Sequence, residues 1–414
     1  MNLSSDKIFK LTAPPSKSDA IRRVAAACLF GPADLYSAIP LSADVRAALS
    51  MAEAIGAKIK INDGLINIEP PPKIRTNALI QLNAGESALA LNLFAVIASF
   101  YAANRSITLN GSLARRKFDS GDVLSRFGIS CARRGDEIEF SGEFTPVDYT
   151  FESEESNQMI SAIAFGAAAR GASCRLSHPR LASVGYLRMT CDALREYGFK
   201  IEFSDAQTYI HKERIPIHGK RSISIEGDWS SAAFFLVSGA FFKPVMISGL
   251  NADSSQPDRS IVEILHKAGA NVYFDRNAVC VRPSRALRSF ETDLAGAPDL
   301  FPPVAALALY CNGTTVLKGA RRLKNKESDR AAALVEEFTK LGGDLELVGD
   351  NLVIRGGVKL TGGQINVRGD HRIAMAALVA GLRTSGMVRT DDQDCIGKSY
   401  PAFLHDYSTF LSFD

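Results

Sequence analysis

Apolar and polar positions alternate along this chain with two different periods, and the order of the two periods repeats. In "DVRAALSMAEAIGAKIKINDGLINIEP", a stretch of helical period ends at Gly56, a strand with alternating apolar residues follows, "NDG" makes a turn, and a second strand returns. The same succession runs through "GDVLSRFGISCARRGDEIEFSG" with Gly128 and "RMTCDALREYGFKIEFSDAQTYIHK" with Gly198. It returns in "RSIVEILHKAGANVYFDRNAVCVRP" with Gly269 and "DRAAALVEEFTKLGGDLELVGDNLVIRG" with Gly342. Each glycine falls where a helix must reverse, a position that tolerates the left-handed backbone a Cβ disfavours. Successive glycines lie 72, 70, 71 and 73 residues apart. Intervals this even mark internal duplication.

A sixth unit on the same spacing ends near the end of the chain, where "YPAFLHDYSTFL" supplies its last helix. A unit with one sheet face and one helix face cannot bury both alone, so the units must pack around shared helical cores. The expected architecture is α/β, with two similar domains of three helix-strand-strand units each. The length of 414 residues agrees, since it exceeds what one core usually organises.

Charge narrows the partners without naming one. The net charge of +3 is small and no Lys/Arg run is long enough for a nucleic-acid face, which leaves small anions as ligands. Seven cysteines without a CxxC pair read as reduced thiols of a cytoplasmic protein. The start "MNLSSDKIFK" has no apolar leader pattern, and no stretch is long and apolar enough to span a bilayer. No His/Cys/Asp spacing argues for a metal.

Chemistry gathers outside the packing signals of the repeat, in the joints between units. "APPSKSDAIRRVAAACLF" sets Lys17, Ser18, Arg22 and Arg23 at the start of an apolar helix. Two readings are open there. In one, Ser18 or Asp19 caps the helix and the arginines point into water; in the other, the free N–H groups and the cations make an anion site. Four more stretches repeat the arrangement. "LNAGESALALNLF" and "ESNQMISAIAFGAAA" put glycine and small polar residues before apolar helices, "RRLKNKESDRAAAL" clusters Arg322, Lys324, Lys326, Glu327, Asp329 and Arg330, and "RGDHRIAMAALVAG" places Asp370, His371 and Arg372.

From about Pro14 to Pro401 these residues resemble the enolpyruvyl transferase family, specifically its EPSP synthase branch. The motifs that carry the resemblance come in order: "PSKSDAIRR", "NAGES", "SNQ", "EGDWSSAAFF", "PDLFP", "KESDR", "DHRIAM" and "CIGKSYP". "KESDR" and "DHRIAM" are the most specific of them. The resemblance implies an inside-out α/β barrel of six units in two domains. A discontinuous domain of residues 1–14 and 227–414 would carry the catalytic groups, and an inserted domain of residues 15–226 would carry the acceptor-binding residues.

The implied reaction joins the enolpyruvyl group of phosphoenolpyruvate to the 5-hydroxyl of shikimate 3-phosphate and releases phosphate. It needs no cofactor, and a cytoplasmic monomer is the expectation. By resemblance, Lys17, Arg330, Arg372 and Lys398, with Gly85, hold phosphoenolpyruvate. Lys17, Ser18, Arg22, Ser156, Asn157, Gln158, Ser183, Tyr186, Asp299 and Lys326 hold shikimate 3-phosphate. Asp299 and Glu327 carry the proton transfers, assisted by Lys17, with Asp299 nearest the acceptor hydroxyl. Local sequence alone reads Asp299 as a turn residue after Pro298 and Ser183 as a cap. His371 reads as an orienting or packing residue.

The chain departs from the family pattern at named places. Leu89 or a neighbour stands where the family has an arginine after its Asn-Ala-Gly loop. "GSLARRKFDSG" lacks the usual Arg-Pro pair, so Arg116 or Lys117 supplies the cation there, with Phe118 replacing the proline or the arginine. Arg322 stands in place of an asparagine. The sister branch, which uses UDP-N-acetylglucosamine, has a reactive cysteine where this chain has Ser112 and an asparagine where Ser18 follows Lys17. That branch, and a non-catalytic anion-binding relative, are the alternatives.

Overall fold

All five glycines that punctuate the repeat have left-handed backbone: φ is 104° at Gly56, 79° at Gly128, 85° at Gly198, 81° at Gly269 and 87° at Gly342. The computed structural model describes residues 7–152, 157–275 and 278–413. Each of these glycines closes a helix that hands over to a hairpin. The helix Ala43–Ala54 leads to strands Lys58–Asn62 and Leu65–Glu69, and Gly121–Arg126 leads to Ile129–Arg134 and Glu137–Gly142. Val184–Arg195, Ile261–Lys267 and Arg330–Lys340 are followed in the same way.

Every hairpin is extended into a sheet by one rule. The returning strand Leu65–Glu69 pairs antiparallel with Ala33–Tyr36, which pairs parallel with Arg221–Ser224. Five four-stranded sheets share this plan, and a two-stranded sheet, Gly363–Ile365 parallel with Val388–Thr390, stands in the sixth place. Among the described residues the sixth unit therefore has the parallel pair and a closing helix, Phe403–Ser412, without a hairpin.

The chain divides into two compact units, Pro15–Ile225 and the combination of Met1–Pro14 with Glu226–Asp414. Three sheets belong to each. Inside each unit lie three strongly apolar helices. Those of the first unit are Lys17–Phe30, Ala88–Ile97 and Asn157–Arg170. Those of the second are Trp229–Phe241, Phe301–Leu309 and His371–Ala380, each buried at every position. Helices occupy the interior and sheets the outside, the inside-out arrangement.

Small residues let these inner elements approach. A Cβ on Gly166 would lie 2.7 Å from Val96 and 2.8 Å from Phe144, and one on Gly239 would lie 2.5 Å from Val245. Two of the turn glycines, Gly128 and Gly198, are constrained twice. At Gly198 a Cβ would meet the Ile215 carbonyl oxygen at 2.2 Å in addition to the positive φ, whereas at Gly171 (φ 63°) it would meet nothing. Gly198→Ala is expected to cost about 3 kcal/mol or more and Gly171→Ala only about 1 kcal/mol, measured by urea unfolding. Equal losses would show that the backbone contact contributes nothing.

Candidate active site

All three inner helices of the Pro15–Ile225 unit begin at candidate residues, and the first shows why. Helix Lys17–Phe30 starts two residues earlier than a Ser18 cap and three earlier than an Asp19 cap would allow: Ser16 is the N-cap, its Oγ accepting from Asp19 N at 3.3 Å. Asp19 is freed from capping and pairs with Arg23 at 2.9 Å. The solvated reading of the two arginines is also overturned, because Arg22 and Arg23 are both buried. Arg23 reaches Glu196 as well.

Arg22 is anchored on two sides. Its Nε donates to Thr190 Oγ1 at 2.8 Å and its Nη1 to the Ser18 carbonyl at 2.8 Å. Burial pulls its pKa down to about 10, opposed by Asp19, so it stays cationic at neutral pH. Lys17 Nζ lies 3.0 Å from Asp44, the acidic residue in the first turn of Ala43–Ala54. Asn157 and Gln158 open the inner helix Asn157–Arg170, while Ser156 lies outside the described residues. Asn92 Nδ2 donates to Gln158 Oε1 at 3.2 Å and so fixes which way that amide faces. Ser183, fully buried, occupies the N-cap position of Val184–Arg195 but accepts no capping hydrogen bond, and Tyr186 is half-buried on the first turn.

The glycine loop is built around an acid. Gly85, at φ 56°, ends strand Ile80–Gly85, and Ser87 caps the inner helix Ala88–Ile97. Between them Glu86 Oε2 accepts from Ser112 N at 2.9 Å and Ser112 Oγ at 2.6 Å. Arg116 Nη2 donates to the same Ser112 Oγ at 3.2 Å. Lys117 takes a different course: its side chain is 87% exposed and pairs with Asp119 at 3.0 Å.

In the other unit the predicted residues converge into one ionic cluster. Arg330, fully buried at the start of Arg330–Lys340, donates from Nη1 to Asp299 at 2.9 Å, from Nη2 to Glu327 at 2.6 Å and from Nε to Asp370 at 3.0 Å. Arg372 Nη2 lies 3.1 Å from the second Asp299 oxygen, Lys326 Nζ 3.7 Å from the first, and Lys398 Nζ 3.2 Å from Glu327. Asp299 sits in the short turn Pro298–Leu300 that opens the inner helix Phe301–Leu309, and Arg372 in the first turn of His371–Ala380. The turn reading of Asp299 is correct locally; the same residue also faces three cations.

Asp370 is a residue that sequence reasoning left without a role. Its carboxylate accepts from Arg330, from Ser328 Oγ at 3.1 Å and from Arg372 N at 3.0 Å, so one buried acid caps the helix and aligns the guanidinium. A capping acid two residues before an arginine was the available signal. Asp44, Asn92 and Glu86 had none, since their partners are distant in sequence. His371 is buried with Nδ1 4.0 Å from Asp370.

Charge crowding sets the protonation states. Burial alone would raise Asp299, but Arg372, Lys326 and Arg330 outweigh it and hold the carboxyl well below its ordinary value. Burial lowers Lys326, against the pull of Asp299. Arg330 is buried too, yet Asp370, Glu327 and Asp299 push it above its usual range. A carboxylate with a depressed folded-state pKa contributes stability that is present above the unfolded value, about 4, and is lost as pH falls below it toward the folded value. Stability of the wild-type chain should therefore fall between about pH 4 and pH 2 more steeply than that of Asp299→Asn, compared by urea unfolding at each pH. Parallel pH curves would remove Asp299 from the acid dependence.

Known proteins share this framework. The sequence model of the EPSP synthase (3-phosphoshikimate 1-carboxyvinyltransferase) family matches residues 8–407. The 3-phosphoshikimate 1-carboxyvinyltransferase of Methanocorpusculum labreanum is 32% identical over 405 residues, covering 95% of this chain and 94% of that protein. The protein of the same name from Methanopyrus kandleri is 32% identical over 413 residues, covering 96% and 94%. Among solved structures, EPSP synthase from Acinetobacter baumannii superposes with a TM-score of 0.78 at 23% identity over 98% of this chain and 96% of that one. The enolpyruvyl transferase NikO from Streptomyces tendae does so with a TM-score of 0.74 at 18% identity over 98% and 94%. These two show the same fold. With its ordered motifs, its sixfold architecture and near full-length relatives, the chain belongs to the EPSP synthase family.

Proposed function

We propose that this chain transfers the enolpyruvyl group of phosphoenolpyruvate to the 5-hydroxyl of shikimate 3-phosphate and releases phosphate, with the cluster around Arg330 as its chemical centre. The observation that carries this reading is the pair of carboxylates, Asp299 and Glu327, held on one guanidinium and flanked by Lys326, Arg372 and Lys398. A protein that only bound anions would gain nothing from acids at that place.

Both substrates are polyanions, and the residues divide by the work required. Arg330, Arg372, Lys398, Lys17 and the Gly85 loop oppose the charge of phosphoenolpyruvate, the arginines through bidentate contact. Arg116, tied to Ser112 beside that loop, is the better-placed cation there, because Lys117 is committed to Asp119 on the surface. Ser18, Arg22, Asn157, Gln158, Ser183 and Tyr186, together with Ser156, hold the acceptor, whose reacting hydroxyl faces Asp299 and Lys326.

Addition and elimination then run as opposite proton transfers. Asp299 takes the proton of the 5-hydroxyl as its oxygen bonds to the enol carbon, and Glu327 gives a proton to the methylene. In the second step the methyl group returns that proton to Glu327, the enol double bond reforms, and phosphate leaves with the proton that Asp299 had taken. Burial lowers the pKa of Lys326, 3.7 Å from Asp299, which suits that lysine to proton traffic.

Phosphate release with phosphoenolpyruvate plus shikimate 3-phosphate tests the reading, and no release with this pair but release with UDP-N-acetylglucosamine would replace it by the sister reaction. Asp299→Asn should lower turnover by about a hundredfold or more while shikimate 3-phosphate still binds. Lys17→Ala should raise KM for phosphoenolpyruvate and Arg22→Ala that for shikimate 3-phosphate, each by about tenfold to a hundredfold. Steady-state kinetics with each substrate varied in turn separates the two, and equal effects on both KM values would contradict the division of labour.

A further inference from the structure

A buried threonine on the apolar face of a helix needs a reason. Thr190 lies among Leu187, Met189, Cys191, Ala193 and Leu194, all buried, and a desolvated hydroxyl there is a cost unless it is hydrogen-bonded. We infer that Thr190 is a positioning residue for acceptor binding, its hydroxyl fixing the plane of the Arg22 guanidinium through a buried chain that continues to Ser161. This rests on the reading that Arg22 holds shikimate 3-phosphate.

The chain has one direction. Arginine Nε can only donate, so the 2.8 Å contact from Arg22 occupies a lone pair of Thr190 Oγ1. The threonine hydrogen must then go elsewhere, and Ser161 Oγ accepts it at 2.8 Å, with the Tyr186 carbonyl farther off at 3.4 Å. All three side chains are buried, so water does not substitute for any link. With Nε held by Thr190 and Nη1 by Ser18, the ring of donors cannot turn. Among the described residues no acceptor takes Nη2, which leaves that corner of the fork to an anion.

Register is the second consequence. Thr190 stands on the helix that opens with Ser183 and Tyr186, and Ser161 stands about one turn into the helix that opens with Asn157 and Gln158. Arg22 belongs to the helix that opens with Lys17 and Ser18. Three helix starts that carry the acceptor residues are thus tied by one hydrogen-bond chain in which each member has a single geometry. Small rotations of any helix would break it.

The test compares Thr190→Val, which keeps the shape and removes the hydroxyl, with Thr190→Ser, which keeps the hydroxyl. Thr190→Val should raise KM for shikimate 3-phosphate about tenfold, with kcat and KM for phosphoenolpyruvate within about twofold of wild type, and Thr190→Ser should restore it. Ser161→Ala should give a smaller rise in the same constant. An unchanged KM for shikimate 3-phosphate in Thr190→Val overturns the inference. So does a loss of kcat, both KM values and melting temperature together that Thr190→Ser fails to restore, since that is the signature of packing alone. Arg22→Ala separates the two levels: if it leaves acceptor binding intact, the assignment of Arg22 fails, and if it weakens binding while Thr190→Val does not, only the positioning role fails.

Discussion

The buried guanidinium of Arg330 is the constraint around which its unit of the chain is organised. A charge with no exposed surface is tolerable only when its donors are all paired, and here three carboxylates from three separate segments meet it. Asp299 comes from the turn before one inner helix, Asp370 from the cap of another, and Glu327 from the residues just before Arg330 itself. None of these acids could sit so close to the others without the cation, and the cation could not be buried without them. The segments that carry them must therefore be brought to one place, which is a demand on the fold as much as on the site.

The repeat meets that demand with small residues. Inner helices rich in small residues approach closely, so their first turns gather instead of spreading over a surface, as the contact of Gly166 with Val96 illustrates. Polar residues are few in the bodies of those helices and concentrate toward their starts, where free N–H groups need acceptors and anions are stabilised. In each unit the same device recurs: Ser16, Ser87, Asp228 and Asp370 cap inner helices with their side chains.

What was legible in the sequence follows from how local each signal is. Five turn glycines announced the repeat because their left-handed backbone is a property of one residue, and the helix-hairpin succession around each is a matter of period. The missing sixth hairpin was not announced, since "YPAFLHDYSTFL" looks helical whether or not strands accompany it. The ordered motifs singled out Arg330, Arg372, Asp299, Glu327 and Lys398, which share one ionic cluster, yet not that one guanidinium joins three acids. Partners such as Thr190 for Arg22, Asp44 for Lys17 and Asn92 for Gln158 stay silent in sequence, because a hydrogen bond across 168 residues leaves no spacing to read. The capping error at Ser18 has the opposite cause: Ser16, Ser18 and Asp19 all satisfy the local rule, and only the backbone decides among them.

The depressed pKa of Asp299 raises a question that the proposed chemistry answers. A carboxylate held far below its ordinary range is a weak base, and three surrounding cations are what hold it there. In the reading given above, two of those cations, Arg330 and Arg372, also receive the anionic groups of phosphoenolpyruvate. Each anion that lands on a shared guanidinium competes for its donors and reduces the field that stabilises ionised Asp299, so the affinity of the carboxylate for a proton rises. Desolvation already pushes the group upward, and on the same reading it works in that direction when substrate displaces water. On that reading Asp299 gains strength as a base when the enol donor binds, as the acceptor hydroxyl has to lose its proton. Cations that first appear to oppose the chemistry time it.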